Sequence, residues 1–376
     1  MTDVVAGRPT PTWGRDVIAV LPAWVAARVL VAVGYLTAYV AINPTTPEPF
    51  RPIPFQQVLL AWDGAFYRLL ADVGYVDAPA DAHRFFPAYP LLGKVLSPLF
   101  LGRADVALVV LANVAALVAM VLLRRLAREQ HDPDVAGTSV WLFAASPVGF
   151  ALVLAFSEPL MVAAVVATFL LLRHRSWLAA GAAGFLAALS RPFGALLAVS
   201  ALIEAIKHWP RADGRERAAM AAAVAGPLAG LGAFLLYAQL ALPDGWTSPL
   251  DAQRPLRGDF VEPVTRTVRA LGQLVDLGPT LDGLHAPFAL LLLALVVVGF
   301  RVLPLSQAVY CLLVVVVALS ADNLNSLERY GLNAVPLILV AAVVVRRFRI
   351  AQAVVVVSAG LFVAMCSLAF LGRYVP

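Results

Sequence analysis

A few charged side chains stand where they could do chemistry in an otherwise apolar chain. Asp63 lies in Ala61-Trp62-Asp63-Gly64. Around it Phe55, Val58, Leu59, Trp62, Phe66, Leu69 and Leu70 recur at i, i+3, i+4 and i+7. That pattern predicts one amphipathic helix lying on a bilayer surface, with Asp63 off its apolar stripe and Trp62 as an interface anchor. Arg68 follows five residues on, about 140° round an ideal helix, so a local salt bridge is poorly placed. Asp63 is therefore expected to be free, either as a solvated polar position or as a working carboxylate.

A second cluster is His83-Arg84, just ahead of Phe85-Phe86-Pro87-Ala88-Tyr89-Pro90. A forked guanidinium beside an imidazole suits a phosphate or a lipid headgroup; a snorkelling arginine in an aromatic belt reads equally well. Arg191, in Leu189-Ser190-Arg191-Pro192, sits between two short apolar runs, where a guanidinium needs a partner. A lipid phosphate would serve, and so would Glu158. Glu158 itself stands between Ser157 and Pro159, the arrangement of a helix start with serine as N-cap. Glu328-Arg329-Tyr330 reads as a polar cluster in a short connection, with a water-exposed local pair as the plain alternative. Arg28 is expected to snorkel from the end of the first apolar run. Asp132-Pro133-Asp134 has the D-x-D form used to hold a metal with a nucleotide sugar, although a helix start explains it too. Cys311 and Cys366 lie inside apolar runs and read as small buried hydrophobes.

The elements that must position these residues follow from composition. Of 376 residues, 61% are hydrophobic and 14% charged, and mean hydropathy is +0.84. Soluble domains are nearer 45–50% apolar and roughly 25% charged, which excludes a water-soluble globular protein. The net charge of +5 is scattered in short runs between apolar segments; this is a topology signal and excludes a nucleic-acid partner. Apolar runs near 17–42, 105–123, 135–153, 160–172, 177–189, 193–206, 218–240, 287–300, 305–320, 334–345 and 350–371 predict about eleven spans at about 20 residues each. The proline-broken stretch 85–101 is expected to be interfacial or re-entrant.

Alternation places Arg124, Arg125, Arg128, Arg173, Arg175, Lys207, Arg211, Arg215, Arg217, Arg301, Arg346, Arg347 and Arg349 on one side, which reads as cytoplasmic. The N-terminus then lies inside and the C-terminus outside, in one integral membrane domain over 1–376. Two long external segments remain, 43–104 with the candidate Asp63 and 243–285. In the second, Val261, Val264, Val268, Leu271 and Val275 predict another amphipathic helix suited to lying on the bilayer surface, with Arg266, Arg269 and Gln273 facing away. A bacterial plasma membrane is the expected location.

Taken in order, these motifs resemble a known family. Trp62-Asp63-Gly64, Phe85-Phe86-Pro87 with Tyr89-Pro90, Ser146-Pro147 followed by Ser157-Glu158, Trp177 with Gly181 and Ser190-Arg191-Pro192, and Arg329-Tyr330 with Pro336 are similar to the PIG-V type mannosyltransferases. These belong to the GT-C class of membrane glycosyltransferases. The resemblance implies a polyprenyl-phosphate-mannose donor, inverting transfer on the non-cytoplasmic side, and a catalytic Asp in the first external loop, the role that falls to Asp63. Trp62, His83, Arg84, Glu158, Arg191, Arg329 and Tyr330 are then candidates for binding donor phosphate or substrate. The acceptor is expected to be lipid-linked or a glycolipid, with membrane lipids as surroundings.

The chemistry suits one carboxylate. Polyprenyl phosphate is a good leaving group, so a general acid is not needed; one base takes the acceptor's proton, whereas a glycosidase needs two facing carboxylates. Fixed cations would stabilise the departing phosphate. No metal is required, although some related transferases are helped by a divalent ion. Three other readings compete: a lipid or solute transporter or flippase; a cytosolic nucleotide-sugar transferase using Asp132 and Asp134; and a non-catalytic GT-C-like membrane subunit.

Overall fold

The computed structural model describes residues 13–41, 52–242, 248–276 and 282–374. Among them are sixteen α-helices. The first half has α1 (Trp13–Ala41), α2 (Asp63–Val73), α3 (Ala88–Leu96), α4 (Ala104–Gln130), α5 (Pro133–Ala144), α6 (Glu158–Arg173), α7 (Trp177–Ser190) and α8 (Leu197–His208). The second has α9 (Gly214–Ala241), α10 (Pro249–Arg257), α11 (Pro263–Asp276), α12 (Asp282–Val302), α13 (Leu305–Leu319), α14 (Leu327–Asn333), α15 (Pro336–Arg347) and α16 (Ala351–Phe370). Extended pairing among the described residues is confined to one isolated bridge, Phe260 with Ala321.

Each of the predicted apolar runs contains a helix. Five, namely α1, α4, α9, α12 and α16, are long and apolar enough to cross a membrane, and α14 with α15 forms a further pair bent by 94°. The chain is an integral membrane protein. The other apolar runs give helices of 12 to 16 residues. At 1.5 Å per residue these are roughly 18–24 Å long, so the chain must continue through irregular segments shielded by protein. The stretch 85–101 holds α3, nine residues long, and a 3-10 turn, Ser97–Phe100.

The clearest shielded segment is 145–157, most of it buried. Its backbone is held from outside: Asn113 Nδ2 donates to Val153 O at 2.9 Å, Arg28 Nη2 to Leu152 O at 3.3 Å, and Ala155 N–H to Leu59 O at 2.8 Å. Arg28 therefore does not snorkel. Its Nε meets Asn113 Oδ1 at 2.9 Å and its guanidinium lies 3.9 Å over Trp24, because supplying a donor to an orphan carbonyl avoids the cost of leaving both groups unpaired in hydrocarbon.

The amphipathic segments depart from expectation in two places. Residues 55–70 are not one helix: a 3-10 turn, Phe55–Leu60, ends at extended Ala61, and α2 begins afresh at Asp63. Between them Trp62 has φ 57 and ψ −122, a conformation costing about 1–3 kcal/mol for a non-glycine residue. The break resets the helical phase, which the residue spacing alone does not record. In α11 the exposed Val264, Val268 and Arg269 agree with a helix lying on the bilayer surface, and Arg266 departs from it. Arg266 is 1% exposed, while Val264 and Val268 are 68% and 62% exposed.

Close packing of α7 on α9 depends on glycine. A Cβ on Gly226 would stand 2.2 Å from the Gly181 carbonyl oxygen, so two backbones touch where side chains would hold them apart.

The charged residues divide between the two ends of the bundle. At one end Asp16 meets Arg124 at 3.2 Å and Arg128 at 3.2 Å, Arg173 meets Glu129 at 3.1 Å, and Arg175 meets Glu216 at 2.6 Å. Asp134 and Arg346 pair there too. Asp63, Glu158, Arg191 and Arg329 lie at the other.

Candidate active site

Four elements deliver side chains to one buried cluster. α2 supplies Asp63 at its first residue, where a carboxylate is favoured by the helix dipole. α6 supplies Glu158 in the same way, with Pro159 in its first turn. Arg191 follows the last residue of α7. α14 supplies Arg329; it is buried on nearly all sides, and Pro336 marks where the chain turns into α15.

Arg329 is the hub. Its Nη1 donates to Asp63 Oδ2, and its Nε is 3.3 Å from Glu158 Oε1. Arg191 Nη1 donates to the same Glu158 oxygen and reaches Ser157 Oγ at 3.5 Å. Ser157 also shares a 2.6 Å hydrogen bond with the Tyr67 hydroxyl. Burial holds the Tyr67 phenol above its ordinary pKa, with Arg191 pulling the other way. Glu158 is fully buried, Arg329 5% and Asp63 18% exposed at their side chains. Two carboxylates and two guanidiniums balance, which a buried group of charges requires. Among the described residues Glu158 Oε2 has no hydrogen-bond partner, so one acceptor at the centre stays open.

Tyr330 forms a second layer. Arg257, Arg191 and Arg329 stand 4.5, 5.5 and 5.6 Å over its ring. Arg257 ends α10, donates to Ala318 O at 2.9 Å, and faces no carboxylate among the described residues. It brings a net positive charge to the cluster.

Several sequence-based expectations are corrected here. Asp63 is not free; its partner lies 266 residues away, while Arg68 pairs with Asp72 at 3.5 Å. Glu328 and Arg329 are not an exposed local pair, because neighbouring helical residues point about 100° apart. Glu328 turns to His285, whose Nδ1 is 2.7 Å from Oε1, and to the Tyr374 hydroxyl at 3.0 Å. Ser157 occupies the N-cap position without a side-chain cap bond, since Tyr67 and Arg191 engage its hydroxyl. Arg191 does have Glu158 as its partner.

His83 and Arg84 lie apart from the cluster. His83 Nε2 is 3.0 Å from Tyr75 O, and Arg84 stacks 4.8 Å from both the Phe66 and Phe85 rings. Phe85 in turn packs edge-on against Tyr67, one aromatic layer from Ser157. Trp62 turns its indole N–H to Ala369 O at 3.1 Å. Asp132 caps α5 by accepting from Val135 N–H at 2.8 Å, and Asp134 is taken by Arg346. Among the described residues no three His, Cys, Asp or Glu side chains group as a metal site would need.

Sequence reasoning missed Tyr67, Arg257, His285 and Tyr374. Tyr67 had a signal, since it shares a helix face with Asp63 at i+4. The other three come from distant segments with no local mark.

Comparison with solved structures gives the architecture a class. ArnT from Cupriavidus metallidurans bound to undecaprenyl phosphate is 12% identical over 92% of this chain and 76% of its own, with a TM-score of 0.50. The fold is GT-C. ArnT in the apo state is 15% identical, at TM-score 0.48 over 94% of this chain and 76% of its own. The Archaeoglobus fulgidus oligosaccharyltransferase AglB, in complex with an inhibitory peptide and a dolichol-phosphate, is 12% identical at TM-score 0.45; the chain covers 56% of its length. Residues 86–235 match the family described as dolichyl-phosphate-mannose-protein mannosyltransferase, less than half of the chain. That stretch holds Glu158 and Arg191 but neither Asp63 nor Arg329. No curated protein matches the sequence.

Proposed function

We propose that this chain is an inverting GT-C glycosyltransferase that moves a hexose from a polyprenyl-phosphate carrier to a lipid-linked or glycolipid acceptor. The observation that carries the reading is the buried Asp63–Arg329–Glu158–Arg191 network at one end of a GT-C bundle. Ionisable groups buried in a membrane protein are costly and signal function. The undecaprenyl phosphate bound by ArnT supports a polyprenyl carrier, and the match over 86–235 supports mannose as the sugar. The PIG-V-like order of motifs favours the same sugar. A bacterial plasma membrane, with the site on the non-cytoplasmic face, fits the distribution of basic residues.

In this mechanism the acceptor hydroxyl oxygen attacks the anomeric carbon from the face opposite the phosphate. The new C–O bond forms as the bond from that carbon to the phosphate oxygen breaks. The hydroxyl proton goes to Asp63, and the electron pair leaves with polyprenyl phosphate. Arg329 and Arg191 have N–H groups that the incoming phosphate can share with the carboxylates. Arg257 offers its charge without competition from a carboxylate. Drawing Arg329 towards the phosphate loosens its hold on Asp63 and makes that carboxylate a better base. The open Glu158 Oε2 suits a sugar hydroxyl, since a buried acceptor is costly to leave unsatisfied.

The test uses purified full-length protein in liposomes, undecaprenyl-phosphate mannose as donor and a membrane lipid extract as acceptor. Transfer is expected from this donor and not from GDP-mannose. Asp63→Asn is expected to lower the rate by about 10²–10⁴-fold with folding intact. Full activity in Asp63→Asn, or transfer from GDP-mannose alone, would overturn the reading.

A further inference from the structure

Asp63 and Arg329 are remote in sequence, yet the residue before each is tied to the same short stretch of chain. The Trp62 indole N–H donates to Ala369 O at 3.1 Å, and the Tyr374 hydroxyl donates to Glu328 Oε2 at 3.0 Å. Local structure explains why this stretch reaches both. The last carbonyls of a helix have no partner within it. At the end of α16, Gly372 N–H donates to Ala369 O at 3.1 Å and Arg373 N–H to Leu368 O at 2.9 Å, a Schellman turn. Gly372 adopts φ 65, a conformation that glycine takes without strain. The turn sends Tyr374 back inward, where it is 7% exposed.

Ile53 N–H adds a bond to Phe370 O at 3.2 Å, so the first loop is fastened to α16 on both sides of its 3-10 turn. Trp62 keeps its unfavourable backbone while its indole is pinned. Burial, together with the Glu328 carboxylate, pushes the Tyr374 phenol well above its ordinary pKa, so it stays a neutral donor. His285 holds the same carboxylate from α12, at 2.7 and 2.9 Å.

We propose that residues 369–374 act as a positioning element for transfer, setting Asp63 through Trp62 and Arg329 through Glu328. Trp62 and Tyr374 are its positioning residues. This rests on the reading of Asp63 as base. A displacement of about 1 Å in a reacting group can cost roughly 10²-fold in rate, so losing one of the three tethers is expected to be visible without unfolding the protein.

The experiment compares wild type, Trp62→Phe, Tyr374→Phe, Glu328→Gln, Glu328→Leu and Asp63→Asn in the liposome assay over a range of donor concentrations. Amide hydrogen exchange is followed in parallel. Trp62→Phe and Tyr374→Phe are each expected to lower kcat about tenfold with the donor KM and the melting temperature unchanged. Glu328→Gln, which keeps an oxygen for Tyr374, is expected to retain more activity than Glu328→Leu. Exchange is expected to quicken over 63–73 in Trp62→Phe and over 327–333 in Tyr374→Phe. Wild-type kcat in both phenylalanine variants while Asp63→Asn is inactive overturns the positioning role alone. A parallel loss of kcat, KM and melting temperature also overturns it. Full activity in Asp63→Asn removes the base itself, and exchange then decides whether 369–374 sets the two segments: unchanged exchange overturns the proposal.

Discussion

In the proposed mechanism, Arg257 is the residue on which donor binding turns most simply. Arg329 and Arg191 each neutralise a carboxylate, so their charge is already spoken for when a phosphodiester arrives. Arg257, stacked on Tyr330 and bonded to a carbonyl, leaves the cluster net positive. Arg257→Gln is therefore expected to raise the donor KM about 10- to 150-fold, the effect of one charge-assisted hydrogen bond of about 1.5–3 kcal/mol, with kcat reduced less. An unchanged donor KM in steady-state rates would remove Arg257 from the phosphate site. At this scale the sequence was legible in part. Asp63, Glu158, Arg191 and Arg329 could be picked out because a charge in an apolar chain needs a reason. Their pairing could not, since Asp63 and Arg329 meet through a fold that brings together positions 266 residues apart.

At the scale of elements, hydropathy located the helices and missed how they are joined. Every apolar run contains a helix, because helices satisfy their own backbone in lipid. The break at Ala61–Trp62 and the buried path of 145–157 escaped notice, because what fixes them is external: Ala369 O for the first, Asn113 and Arg28 for the second. The inward turn of Arg266 on α11 likewise has no mark in the local sequence. The α7–α9 contact gives a sharp test of packing. Gly226→Leu places a side chain where 2.2 Å separates a Cβ from the Gly181 carbonyl, and the helices must part. A large fall in melting temperature is expected, with early aggregation on gel filtration; a melting temperature equal to wild type would show that α7 and α9 are free to move apart.

The whole molecule is polarised. One end carries arginines matched to Asp16, Glu129, Asp134 and Glu216; the other carries the buried network. Cysteine labelling reads this polarity directly. With a membrane-impermeant maleimide on intact cells, Arg68→Cys is expected to react and Arg347→Cys to react only after permeabilisation. Labelling of Arg347→Cys but not Arg68→Cys on intact cells would reverse the expected orientation, and labelling of both would abolish it. The helical membrane architecture was legible from composition and run lengths, and the candidate end from the long external segments, whereas the way the charges pair at each end was not.

The separation of the two halves of the site also sets a clock. Chains are made at about 5–20 residues per second. Glu158 obtains Arg191 after 33 residues, roughly 2–7 s later at that pace. Asp63 waits 266 residues for Arg329, roughly 13–53 s. For that interval Asp63 is without its Arg329 partner, so the ion pair that completes the cluster forms only once α14 has been made.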